Sequence, residues 1–141
     1  MIATPSLTTR FTNARFYADE RLLTWHPVGV YDENTAAHVL EYLELAEKFE
    51  DEPFDRYTDM TGLSEIRISL SHVVRLARQR RSYKGPPVKS AIQASSFVSV
   101  TIAQMYAELL AGSRIQVCLF RSRAAAADWL GVPKKLLLPP S

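Results

Sequence analysis

At 141 residues, with 47% hydrophobic and 23% charged residues, the chain has the size and composition of one globular domain that can bury a core without disulfides. A lone cysteine, Cys118, excludes an intramolecular disulfide and points to a reducing compartment. The net charge of +2 conceals a division: residues 1–70 carry 6 Lys+Arg against 13 Asp+Glu, net −7, and residues 71–141 carry 11 against 2, net +9.

The opening residues, MIATPSLTTRFTNARF, contain no apolar signal-like stretch. No run in the chain approaches the ~18 apolar residues of a membrane span. A soluble, cytoplasmic protein is therefore expected. Residues 1–12, rich in Thr and Ser and without periodicity, are predicted to be a flexible leader.

ARFYA and RLLTWH alternate in the manner of two hairpin strands joined at Asp19-Glu20, and Pro27 and Gly29 end or bend the second. Asp32 is placed to cap a helix on which Ala36, Val39, Leu40, Leu43, Ala46 and Phe49 recur at helical spacing, leaving Glu41, Glu44, Glu47 and Lys48 toward water. The segment EDEP closes that helix, because proline disfavours helical backbone in the residue before it. DRYTDM then reads as a third strand.

A second helix is predicted from about Ser71 to Tyr83, burying Val73, Leu76, Ala77 and Tyr83. After the GPP breaker, VKSAIQA reads as a fourth strand, with Val88, Ile92 and Ala94 on a face that Ser90 interrupts. Ser95 or Ser96 caps a third helix through Leu110, ended at Gly112. The nearly unbroken apolar run IQVCLF suits a central strand covered on both faces. Ser122 caps a last helix through Leu130, with Gly131 and Pro133 at its end. On that helix Trp129 and Leu130 are expected to pack against the sheet, and the leucines of the tail, residues 132–141, to dock on the domain or on a second subunit.

Strands alternating with helices after a hairpin imply one α/β domain with a mixed, mostly parallel sheet of about five strands and four helices. Within that order, GVYDENTAAHVLEYL, Gly29 to Leu43, resembles the glycine, short apolar step, aspartate and helix start of STAS domains. Asp59-Met60-Thr61-Gly62-Leu63-Ser64 is similar to the Asp-Leu-Ser-Gly-Val segment that ends a central strand of that fold. The resemblance spans residues 13–131 and is closest to the SpoIIAA-like, anti-sigma factor antagonist branch.

Membership of that branch implies a non-enzymatic regulatory or protein-interaction module. It further implies a serine at the start of the second helix that a partner kinase phosphorylates, and ungapped alignment places it at Ser69. The surroundings depart from the family motif, with Arg67 at its aspartate, Ile68 at its first serine and Leu70-Ser71 at its Gly-Leu pair. A helix cap is the other reading of Ser69.

Catalytic signatures are missing: there is no G-x-G-x-x-G and no P-loop, and Cys118 has no evident base in sequence. His26, His38 and His72 lack metal-ligand spacing and read as surface or edge residues, so no metal and no cofactor is expected. Arg75, Arg78, Arg81 and Lys84 form an outward stripe on the second helix, with Arg80 snorkelling from its inner side. That stripe is the predicted partner-binding face, for another protein or for self-association. Nucleic acid is not expected, because only Tyr83 is near the stripe for base stacking. An alternative site for a small anionic or lipid ligand lies at the strand ends, at Asp59, Thr61, Ser95, Ser96, Ser99 and Arg121, where helix capping is the competing explanation.

Overall fold

Alternation at the start of the chain becomes a hairpin: β1 (Ala14–Tyr17) and β2 (Leu22–Trp25) pair antiparallel, with Ala14 opposite Trp25. The computed structural model describes residues 13–140, so the expected leader at 1–12 lies outside the described residues. The hairpin contains no glycine, and Arg21 takes the positive φ of 50° that closes it. Arg21 is held there by its side chain, which pairs with Glu50 at 3.2 Å and donates to the Glu52 and Pro53 carbonyls.

Next come β3 (Gly29–Asp32), helix α1 (Glu33–Phe49), β4 (Asp55–Asp59), a 3-10 turn (Met60–Gly62) and β5 (Leu63–Arg67). Helix α2 (Leu70–Arg80), β6 (Val88–Gln93), α3 (Phe97–Leu109), β7 (Ile115–Phe120) and α4 (Arg123–Leu130) follow. The main sheet has the order β1-β2-β4-β6-β7, parallel except for the hairpin. Five strands, mixed and mostly parallel, with four helices, are what the order of strands and helices in the sequence implied.

Two features differ from expectation. β3 and β5 form a separate two-stranded parallel sheet with an irregularity between Gly29 and Val30, where only a bend and a strand-to-helix connection were predicted. β7 lies at the edge of the main sheet, not its centre. The strand buried from end to end, apart from half-buried Lys89, is β6. Apolar character in IQVCLF serves helix packing on an edge strand, since Val117 through Phe120 all retain some exposure.

The pleat of the main sheet separates two cores. On one face Leu22, Tyr57 and Ala91 meet Ala126, Ala127 and Leu130 of α4, and Phe120 stacks at 5.5 Å on Trp129. Leu137, in a short 3-10 segment after α4, is fully buried in the same cluster. On the other face Leu23 packs with Tyr42 and Ala46 of α1 and with Phe54. Phe49, expected inside, is instead exposed at the end of α1. Gly131 ends α4 in the left-handed conformation, φ 74°, that favours glycine.

Candidate functional site

Each helix begins with a side-chain cap. Asp32 Oδ1 accepts from Thr35 N at 2.9 Å, Ser69 Oγ from His72 N at 3.2 Å, Ser96 Oγ from Ser99 N at 3.1 Å and Ser122 Oγ from Ala125 N at 3.1 Å. The Asp32 carboxyl is held below its ordinary pKa, chiefly by the Thr35 amide and hydroxyl. Arg81, the residue that follows α2, donates to the Leu109 and Ala111 carbonyls at 2.9 and 3.1 Å. Helices α2 and α3 therefore run side by side, and their first turns share the carboxyl end of the sheet.

Ser69 is exposed at that end and is already engaged. Its hydroxyl lies 3.2 Å from Glu33 Oε2 and 3.1 Å from Ser71 Oγ, while Glu33 Oε1 is 3.6 Å from His72 Nδ1. Arg67, two residues before Ser69, is clasped by Glu65 through Nε and Nη2 at 2.6 and 3.1 Å.

The strand-end residues divide. Asp59 is buried, with Oδ1 accepting from Thr61 N and Oγ1 at 3.0 and 2.6 Å, and Oδ2 bound by Arg123 at 3.3 Å. His26 also lies against it, 3.8 Å from Oδ2, and its ring faces that of Tyr57. His26 was expected at the surface; it is buried because Nε2 bonds the Leu137 carbonyl at 2.9 Å, which ties the C-terminal segment to the end of β2. Tyr57 bonds Gln93, and burial followed by the Asp59 charge pushes its hydroxyl up to about 12. Ser96 and Ser99 satisfy each other at 2.7 Å, while Ser95 and Arg121 are exposed.

Helix α2 ends at Arg80, not at Tyr83 as expected, so Lys84 lies past it; Arg75 and Arg78 on the helix and Lys84 beyond it are exposed, and Arg75 touches only His72 among the described hydrogen-bond partners, at 3.2 Å. Arg81 is exposed too, but its hydrogen bonds to α3 set it apart from the rest of the stripe. Arg80 does not snorkel. It is buried, and both of its amino groups bind Glu47, which Arg56 of β4 also binds at 3.0 Å. Glu47 was expected in water; it turns inward because two buried guanidiniums need a carboxylate more than solvent does.

An exposed apolar rim at the carboxyl end of the sheet was not foreseen. Phe97 is 85% exposed, Val28 64%, Leu70 56% and Val98 49%. Phe97 and Leu70 are the first residues of neighbouring helices, and Val28 lies against Gly62, where an added Cβ would meet the Pro27 carbonyl at 3.0 Å. Helical periodicity assigns such residues to a core; their position ahead of the first full turn leaves them outside it. Among the described residues no cluster of three His, Cys, Asp or Glu side chains could hold a metal ion, and no helix is long and apolar enough to cross a membrane.

No protein-family model matches the chain, and no curated protein matches it. Among solved structures, it is similar to an uncharacterised protein from the DUF3478 family of Shewanella loihica PV-4, described as having a SpoIIAA-like fold. The two are 18% identical with a TM-score of 0.49, over 77% of this chain and 83% of that one.

Proposed function

We propose that this domain is a non-enzymatic recognition module that regulates or scaffolds by binding another protein, or a second copy of itself, at the end of the sheet where α2 and α3 begin. One observation carries the reading: Phe97, Leu70, Val98 and Val28 are large apolar side chains left in water at one end of the molecule. Exposed apolar residues gathered on one end, rather than scattered singly, mark interaction surfaces. Arg75 and Arg78 on the outer side of α2 border that rim and favour a partner with acidic residues around an apolar centre.

Ser69 is the proposed point of control, since a phosphate there would stand beside the rim and against Glu33. The lone cysteine favours the reducing cytoplasm as the place of action. Anion carriage at the serine-lined strand ends has less support. Ser96 and Ser99 spend their hydroxyls on each other and on the helix start, and the Asp59 carboxylate would repel an anion.

The test is a Phe97→Asp exchange in an affinity capture read by mass spectrometry, with light scattering on the same samples. An acidic residue at the first helical position suits the helix dipole, so the melt should be unchanged. A captured protein or a dimer that disappears with Phe97→Asp supports the reading. A monomer that captures nothing specific, or a complex indifferent to the exchange, sinks it.

A further inference from the structure

Between the main sheet, helices α1, α2 and α3 and the small β3–β5 sheet lies a cavity of about 150 Å³. Its wall is mostly apolar, with Leu23, Val39, Ile66, Leu76, Ile92 and Ile102 each supplied by a different strand or helix. Interiors keep few voids larger than a water molecule, and an apolar-walled cavity of this volume accepts a benzene-sized guest.

The cavity also has a charged end. Arg56 and Arg80 both line it, with side chains 7% and 4% exposed, and among the described residues the only carboxylate they bind is that of Glu47. Two guanidiniums against one carboxylate leave a surplus positive charge in the interior. Glu44, a turn earlier on α1, accepts from Gln79 at 3.3 Å and acts on Arg80 through its charge alone. Arg56 spends Nη1 on Glu47 and lays its guanidinium over Phe54 at 4.6 Å, yet its buried Nε has no hydrogen-bond partner. Burial, with the neighbouring Arg80 charge, lowers the Arg56 pKa despite the opposing pull of Glu47, whereas Arg80 is raised despite its burial because Glu47 hydrogen-bonds it, so the shortfall lies at Arg56. A buried guanidinium nitrogen without an acceptor is rare in folded proteins.

We infer that this cavity binds a small apolar carboxylic acid, its ring or branched chain against the aliphatic wall and its carboxylate on Arg56. A neutral hydrocarbon would fill the void and leave the Arg56 Nε–H unmet. A bare inorganic anion would meet the charge but not the wall. An acid of about six to ten non-hydrogen atoms does both, given that benzene occupies a cavity of this volume. The inference stands apart from the protein-binding rim, because it rests on the interior and not on Phe97 or α2's outer face.

The experiment titrates the full chain with benzoate, hexanoate, benzyl alcohol and inorganic phosphate, read by calorimetry and by amide chemical shifts. At least one of the two acids should saturate with a dissociation constant of about 1 mM or tighter, a modest demand for so few atoms, and shift amides around Arg56, Ile92 and Ala103. Benzyl alcohol should bind about tenfold more weakly and phosphate not at all, since only a charged acceptor inside an apolar wall answers both features. Arg56→Met should erase the preference for benzoate over benzyl alcohol, and Ala103→Leu, at a buried position on the cavity wall, should abolish binding of both. Should Arg56→Met fail to fold, the wild-type preference and Ala103→Leu decide the matter together. The inference is overturned if neither acid saturates, if phosphate competes, or if Ala103→Leu or a folded Arg56→Met leaves acid binding unchanged.

Discussion

Ser69 Oγ stands 3.2 Å from Glu33 Oε2, so the cap of α2 is also the contact that joins its start to the start of α1. Ser69→Ala should remove both and cost about 1 kcal/mol, the usual loss for a serine cap, in chemical denaturation. Ser69→Asp keeps a cap acceptor but sets a carboxylate against Glu33. Hydrogen exchange should then quicken in the first turn of α1 while α2 stays protected. Unaltered exchange at Glu33 to Ala37 would mean that charge at Ser69 is not transmitted, and Ser69 would be a cap alone.

Glu47 serves two buried guanidiniums, and the consequences of removing each partner are unequal. Glu47→Gln strands Arg56 and Arg80 without a counter-charge and should cost about 3 kcal/mol or more in urea denaturation. Arg56→Met leaves Glu47 and Arg80 as a one-to-one pair and should cost much less. Equal losses for the two substitutions would show that the surplus charge is neutralised by something other than Glu47.

What the sequence made legible was local. Asp32, Ser96 and Ser122 could be read as caps because a short polar side chain before an apolar period acts on backbone within three residues. The β3–β5 pair could not, since Leu63 and Ile66 are separated by both Ser64 and Glu65, which breaks the strand period of two, and the partner strand is about thirty residues away in sequence. Glu47 and Arg80 looked like surface charges because periodicity places a helix face relative to its own neighbours only. Their burial depends on Arg56, a residue of another element, and on how α1 and α2 settle over β4. The exposure of Phe97 was hidden for the converse reason: apolar type predicts burial, but a residue at the first helical position projects beyond the layer it begins.

Leu137 is fully buried against Leu22, Tyr57 and Leu130, and its carbonyl satisfies His26. Leu137→Ala should cost about 2–4 kcal/mol, in the range of other buried leucine truncations. Leu138→Ala, at the half-exposed next residue, should be nearly neutral. A melt insensitive to Leu137→Ala would remove the C-terminal segment from the core.

Asp32 gives α1 a pH-dependent start. Its carboxyl pKa is lowered in the folded protein, mainly by the Thr35 amide and hydroxyl, so its contribution is complete above the unfolded value and is lost as pH falls through the folded one. Asp32→Asn retains a cap oxygen but cannot titrate. The stability gap between wild type and Asp32→Asn should therefore hold at about pH 6 and shrink below about pH 4, near the ordinary aspartate value. A gap that widens with acid would reverse the sign and assign the effect to another carboxylate.

The basic face of α2 separates folding from recognition within one helix. Arg75 and Arg78 point to solvent, so reversing both to glutamate should change the melt by less than about 0.5 kcal/mol, as exposed charges usually do. Arg81 differs, because its Nη1 donates to the carbonyls of Leu109, the last residue of α3, and of Ala111 just beyond it, at 2.9 and 3.1 Å. Arg81→Ala should cost about 0.5–1 kcal/mol, a charge-assisted bond discounted for its exposure. If the face recognises an acidic partner, Arg75→Glu with Arg78→Glu should weaken that complex most at low salt, where the Debye length exceeds the spacing of the charges. Arg81→Ala should weaken it only as far as it loosens the α2–α3 contact, and adding Phe97→Asp to the double reversal should deepen the loss beyond either alone. A complex that survives all these changes while the melts behave as stated would leave α2's outer face as a solvated surface, with binding carried elsewhere.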